Sequence, residues 1–274
     1  MEVIKNVDRI WLSEVWRYRE LVFFLAWRDV KVRYKQAALG AAWAIIQPLA
    51  TMIVFTLFLG RLPEMQTDGI PYPLFVFGAL VLWTYASGVI GQAGNSLVSN
   101  TNLITKVYFP RVALPTSSAI GALPDLFIGL GFLIVLMIFY EVRGYPEAEP
   151  GWALLLAPVF LLALMLLTIG MSLALAALNV QYRDVKHAVP FLLQIWLFAT
   201  PVIYPLSIVT DHRLQVLMFF NPLTGIVEGF RSCLFSGHRL DPMLTFISLT
   251  MTVIVFLGGL IYFRKTERAF ADVI

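Results

Sequence analysis

Long apolar runs separated by short polar, turn-rich segments set the pattern of this chain. An uncharged run covers 39–60 and stops at Arg61-Leu62-Pro63-Glu64, and a second covers 71–98. Phe109-Pro110-Arg111 opens a third that ends near Tyr140. A fourth covers 152–179, a fifth 190–204 and a sixth 244–263. All but the short fifth reach the roughly 20 residues that a helix needs to cross a bilayer, so the pattern predicts an all-α integral membrane protein with six spans. Between the last two runs, the stretch of about 206–242 is different. Its apolar pieces, 214–220 and 223–235, are each too short to cross, Asn221-Pro222 divides them, and Glu228 and Arg231 sit in the second. One broken span and a re-entrant helical hairpin both fit this pattern.

The segment before the first run has its own period. Read as a helix, Phe23, Trp27, Val30 and Tyr34 form one stripe, and Arg28, Lys31 and Lys35 face the other way. Such a helix lies in a membrane interface, aromatics among acyl chains and cations among headgroups. Val30, Val32 and Tyr34 also alternate with Lys31, Arg33 and Lys35 as a short strand would, but the alternation fails through 21–27. A second amphipathic candidate covers 8–19, so 1–37 reads as an interfacial region, 38–263 as the membrane domain and 264–274 as a tail. The polar stretch 99–111 (SNTNLITKVYFPR) predicts a short helix capped by Asn100 or Thr101, with Leu103, Ile104, Val107 and Tyr108 on one face. Gly88, Gly91 and Gly94 give the second run a small-residue face suited to helix packing.

Composition confirms the class and charge orients it. The 274 residues are 59% hydrophobic and 14% charged, far from a soluble composition. With a re-entrant hairpin and six spans, fifteen of the twenty Lys and Arg fall on one side and five on the other; a seventh crossing would move the cations of Arg264-Lys265-Thr266-Glu267-Arg268 across. Positive-inside asymmetry therefore favours the hairpin, with both termini in the cytoplasm. The basic segments adjoin apolar runs, so membrane lipids rather than nucleic acid are the expected contact. Cys233 is the single cysteine, which excludes an intrachain disulfide and a cysteine-based metal site. No Gly-x4-Gly-Lys-Ser/Thr loop is present to cradle nucleotide phosphates.

Five elements in this order resemble one family over nearly the whole chain: WRDVKVRYKQAALGAAWAIIQP (27–48), NLITKVYFPR (102–111), YRDV (182–185), TPVIYP (200–205), and Asn221-Pro222 followed by Glu228 to Arg231. They are similar to the membrane subunits of ABC-type exporters of polysaccharides, such as O-antigen, capsule and teichoic acid permeases. Val112 departs from the acidic residue that many members carry after Phe-Pro-Arg. The resemblance implies a permease in the cytoplasmic (inner) membrane that moves a lipid-linked polysaccharide. A second copy would complete the channel. Two separate ATP-binding cassette subunits would use ATP and Mg, with no cofactor or metal bound by this chain and no catalytic residue in it. It further implies ATPase coupling through Asn102, Leu103, Ile104, Lys106, Val107, Tyr108 and Arg111, with Arg183 and Asp184 nearby.

Channel-lining candidates are Trp43, Phe55, Trp83, Tyr85, Trp196 and Phe198, because sugar C–H faces pack on aromatic planes; ordinary membrane-interface and lipid-facing roles suit the same rings. Asn221, Pro222, Glu228 and Arg231 are outer-gate candidates, with Glu228 and Arg231 read as an exposed pair and Cys233 near the meeting of two hairpins. Asp125, the one charge well inside a predicted span, should face the bundle with a partner, or accept from backbone freed at Pro124. Proton coupling is a third role for it. An ABC permease for drugs or lipids has no motif to separate it from a glycan permease. A membrane-embedded glycan or lipid transferase would want clustered His, Asp or Glu, and His187, His212 and His238 are dispersed.

Overall fold

Among the described residues every regular element is a helix. Hydrocarbon offers no water to backbone N–H and C=O groups, so each segment must satisfy them internally. The computed structural model describes residues 16–35, 39–60, 67, 69–106, 109–145, 152–182, 184–236 and 241–267, without the side chains of 102, 104, 105 and 152.

Helix α1 (Arg19–Lys35) leads through a turn at Gly40 (φ 46°) into α2 (Trp43–Phe58). Then come α3 (Tyr72–Ala93), the short α4 (Ser96–Ser99) and α5 (Thr101–Lys106), α6 (Ala113–Gly121), α7 (Leu123–Val142) and α8 (Ala157–Gln181). The chain ends with α9 (Val185–Ala199), α10 (His212–Phe219), α11 (Pro222–Leu234) and α12 (Pro242–Glu267).

Five helical stretches are long and apolar enough to cross a membrane: Gly40–Phe58, Tyr72–Ala93, Ala113–Val142, Ala153–Gln181 and Pro242–Glu267. The fifth expected span, 190–204, is instead the 15-residue α9. At ~1.5 Å per residue it falls short of the ~30 Å hydrocarbon core. It stops at Ala199, where extended Thr200 precedes Pro201.

Helix α3 is the centre of the bundle, buried along most of its length against α2, α6, α7, α8 and α9. Helices α8 and α12 make the most extensive pairing, and glycine permits it. A Cβ on Gly259 would stand 2.0 Å from the Gly170 carbonyl oxygen, and one on Gly170 2.5 Å from Phe256 Cα. Helix α11 is enclosed by α8, α12, α3 and the turn Trp152–Leu156. The stretch 206–235 is thus two short helices, the second one inside the protomer, and neither is long enough to cross.

Helix α1 keeps the outward Phe23 and Trp27 of its predicted form and adds a packed face that was not predicted. Its packed face is Val22, Leu25 and Ala26, laid across α6, while Phe23, Phe24 and Trp27 point outward. The helix is apolar on two sides because one side serves the protein and the other faces away from it. Most of the 8–19 candidate and the tail beyond Glu267 lie outside the described residues.

Candidate functional site

The segment between α3 and α6 is built from breaks. Asn179, at the end of α8, donates to the Gly94 carbonyl (3.0 Å) and to Asn95 Oδ1 (3.0 Å), holding the turn where α3 stops. The Asn100 amide folds back on the Ser96 carbonyl (2.8 Å), and its Oδ1 accepts from Arg28 Nη1 at 3.2 Å. Asn100 therefore ties α1 to the segment as well as turning it. Helix α5 carries Leu103, half-buried against the core, and exposed Lys106. The side chains of Asn102 and Ile104, and residues Val107, Tyr108 and Arg183, are outside the described set. Arg111 Nη1 donates to the Glu267 carbonyl at the end of α12 (2.8 Å), and Tyr262 donates to Gln181 (3.1 Å). Helix α1, the 96–111 segment and the ends of α8 and α12 thus gather at one end of the bundle. Asp184 is exposed beside them, and its backbone carbonyl starts α9 by accepting from His187 and Ala188. Val112, the departure from the family pattern, is completely buried, a position where an acidic side chain would need a partner.

Asp125 lies in the first turn of α7. The stretch Ala113–Val142 has 30 residues, about 45 Å at 1.5 Å per residue, so it overshoots the hydrocarbon and the α6–α7 joint comes near its edge. Two α1 residues reach Asp125: Arg33 Nη1 pairs with Oδ2 and the Tyr34 hydroxyl donates to Oδ1. Arg33 Nη2 also donates to Gln92 Oε1 (2.9 Å). Desolvation, then the hydrogen bond to Asp125, pushes the Tyr34 pKa up to about 12, so the phenol remains a donor at working pH. The expected partner for Asp125 is present, but it comes from α1. Tyr34, read from the sequence as part of the acyl-chain stripe, is turned into the protein, and Arg33 with it. Beneath them α1, α2, α3 and α7 enclose a cavity of ≈350 Å³. Gly88 lines it, and a Cβ there would meet nothing within 4 Å; the helix-packing role predicted for that glycine belongs to Gly94, in reach of Leu175.

The pair Glu228–Arg231 is not exposed. Arg231 is 0% and Glu228 4% accessible, with Arg231 Nη1 2.6 Å from Glu228 Oε1. Arg231 also donates to the carbonyls of Pro201 (2.6 Å), Val202 (2.7 Å) and Phe75 (3.3 Å), its guanidinium carbon 3.5 Å from the Phe75 ring centroid. The reason lies in TPVIYP. This irregular strip ends α9 with carbonyls that no helix satisfies, and at membrane depth such backbone persists only where protein groups bond it. Arg231 answers two of its carbonyls and the Tyr72 hydroxyl a third, at Ile203 (2.7 Å). Asn221 caps α11 through Leu223 N (3.2 Å), accepts from Trp196 Nε1 (2.9 Å) and donates to Thr200 Oγ1 (2.8 Å), with Pro222 as the first helical residue. The four gate candidates therefore join α9 to α11 in one protomer. Cys233, 1% accessible, faces its own protomer's interior rather than a partner hairpin.

The six candidate aromatics divide by burial. Trp83 and Tyr85 are packed inside, Trp83 edge-on to half-buried Trp196 at 5.7 Å and the Tyr85 hydroxyl on the Ala119 carbonyl (3.1 Å). Phe55 is half-buried, whereas Trp43 and Phe198 are exposed on α2 and α9. Sequence reasoning passed over Gln92 and Asn179, read Arg28 only as a headgroup contact and gave Arg33 no partner. The one signal for them was surplus polarity beside apolar runs.

These features define a polytopic helical membrane protein whose first helix is tied to its bundle by the Arg33–Asp125 ion pair. Residues 20–235 match the ABC-2 type transporter family, and the chain belongs to it. Among its relatives, the O-antigen export system permease protein RfbA of Myxococcus xanthus is 31% identical over 94% of this chain and 97% of its own length. A permease of the same name from Klebsiella pneumoniae is 24% identical over 93% and 95%. The polysialic acid transport protein KpsM of Escherichia coli is 22% identical over 88% and 91%.

Proposed function

We propose that this chain is the permease subunit of an ATP-driven exporter that carries a lipid-linked surface polysaccharide across the cytoplasmic membrane. Two copies form the channel, and two separate ATP-binding subunits hold ATP and Mg. The observation that carries this reading is the end-to-end similarity to an O-antigen export permease, 31% identical over 94% of the chain. Six crossings, a re-entrant outer hairpin and cytoplasmic termini follow from the cation asymmetry, and α9 with the TPVIYP strip supplies the sixth crossing. The gathering of α1, 96–111 and the end of α12 at one end of the bundle supports the same sidedness. Trp43 and Phe198, on outward faces, are the aromatics available to a channel between copies.

The docking surface for the ATPase is α5 and its flanks. Asn100 is bonded to Arg28, and Arg33 lies five residues further along α1. A displacement of the docking segment is therefore carried along one helix to the cavity beside Asp125. At the other end the hairpins gate the channel mouth, moving as units because Arg231 binds each to its TPVIYP strip.

The test is co-expression of the chain with its ATP-binding subunit in a host deleted for both. Surface glycan should return with the wild type. Leu103→Asp should leave the permease in the membrane, detach the ATPase and abolish export. Intact complex with normal hydrolysis in that variant would place docking elsewhere.

A further inference from the structure

The cavity between α1, α2, α3 and α7, at ≈350 Å³, falls in the ~300–1,000 Å³ range of small-ligand sites. Among the described lining residues the ionic side chains are Arg33 and Asp125, which pair with each other, so this lining carries no net charge. What remains is an apolar wall of Ala44, Pro48, Val81, Ala122 and Leu126 with a few uncharged polar side chains set into it. The side chains of Gln47 and Thr84 make no hydrogen bond among the described residues. The Gln92 amide gives its oxygen to Arg33 and keeps its NH2. Trp43, 54% accessible, presents its indole at the rim, and the missing side chain of Gly88 leaves the wall open.

This combination selects a ligand chemistry. A primary amide offers donor and acceptor side by side, matching two neighbouring hydroxyls, and an indole face accepts the C–H side of a saturated ring. A phosphate or pyrophosphate headgroup calls for an uncommitted cation, and the Arg33 guanidinium is already engaged by Asp125 and Gln92. An acyl chain would leave the amides without partners at a cost. We infer that this cavity binds uncharged sugar, with room for about one or two rings, through Gln47, Thr84, Gln92 and Trp43. The inference rests on the export reading above only for where the sugar comes from, namely the polymer in transit.

The full chain in nanodiscs of phosphatidylcholine and phosphatidylglycerol, free of glycolipid, tests this by saturation-transfer NMR. The probes are the methyl glycosides of glucose, mannose and N-acetylglucosamine, with inorganic pyrophosphate as the anionic competitor. At least one glycoside should receive saturation. Gln47→Ala and Trp43→Ala, both at accessible positions that tolerate truncation, should each weaken it roughly tenfold, the loss of about one good contact. Trp43→Phe should retain it. Pyrophosphate should not compete in the wild type and should begin to bind in Asp125→Asn, where Arg33 loses its counter-charge. Three results would each overturn the assignment: no transfer to any glycoside, transfer indifferent to both truncations, or displacement by pyrophosphate from the wild type. Surface-glycan export is scored separately. Export without glycoside binding sinks the cavity assignment alone, and glycoside binding without export sinks the transport reading alone.

Discussion

Truncating Arg231 to alanine separates a structural role for its cluster from a solvated one. An exposed Glu–Arg pair three residues apart on a helix is worth ~0.2–0.5 kcal/mol. Here the pair is buried, and removing one partner of a buried pair costs roughly 3–5 kcal/mol. At ~2–4 °C per kcal/mol for a chain of this size, the melting temperature should fall by about 6–20 °C, against 2 °C or less for the exposed pair. The protein contains its own probe. Cys233, the single cysteine, is two residues beyond Arg231 and 1% accessible, so a fluorogenic maleimide reports the opening of α11 itself. A thermal ramp of the nanodisc-embedded protein with this dye gives the midpoint. The double variant Glu228→Leu/Arg231→Met removes both charges but leaves the carbonyls of Pro201 and Val202 without the guanidinium donor, each at about 1–3 kcal/mol. It should recover only part of the loss. A midpoint for Arg231→Ala within 2 °C of wild type would refute burial of the pair. Complete recovery in the double variant would refute the role given to the carbonyls.

The α8–α12 crossing should be equally intolerant, since the neighbour of Gly259 is backbone that cannot rotate away. Gly259→Ala should cost on the order of 1–3 kcal/mol in the same thermal assay, whereas Gly131→Ala, with nothing within 4 Å, should be neutral. Topology is checked by impermeant maleimide on intact cells, with the buried Cys233 giving little background. Asp211→Cys should label and Lys265→Cys should not, and labelling at Lys265→Cys alone would overturn the six-crossing arrangement.

Much of the architecture was legible because bilayer thickness writes itself into chain length. The four long runs and the last one emerge as helical stretches close to their predicted bounds, the third broken at Ala122, since an apolar stretch of about 20 residues has few other stable forms. Places where two segments meet were not legible. The periodicity of 20–35 identified a helix with Phe23 and Trp27 turned outward but missed its packed face, because Val22, Leu25 and Ala26 are just as apolar, and the sequence does not say which side finds α6. Asp125 illustrates the intermediate case. Its cost in hydrocarbon implied a partner, yet Arg33 is 92 residues away in the chain and nothing in its own segment singled it out.

The same ambiguity misplaced Glu228 and Arg231. Their spacing announced a pair but carried no sign of its depth, and two charges beside a turn read naturally as solvated. The missing information lay 30 residues upstream. TPVIYP places proline at both ends of a strip adjoining a span, so it cannot be helical throughout and must leave carbonyls unbonded. Unbonded carbonyls at membrane depth require a donor with several N–H groups, and arginine offers five in one plane. Considered together, the two motifs imply each other: the strip needs the guanidinium, and the guanidinium, once buried, needs Glu228. A polar residue in an apolar helix is therefore best matched first to the nearest irregular backbone, and only then to solvent.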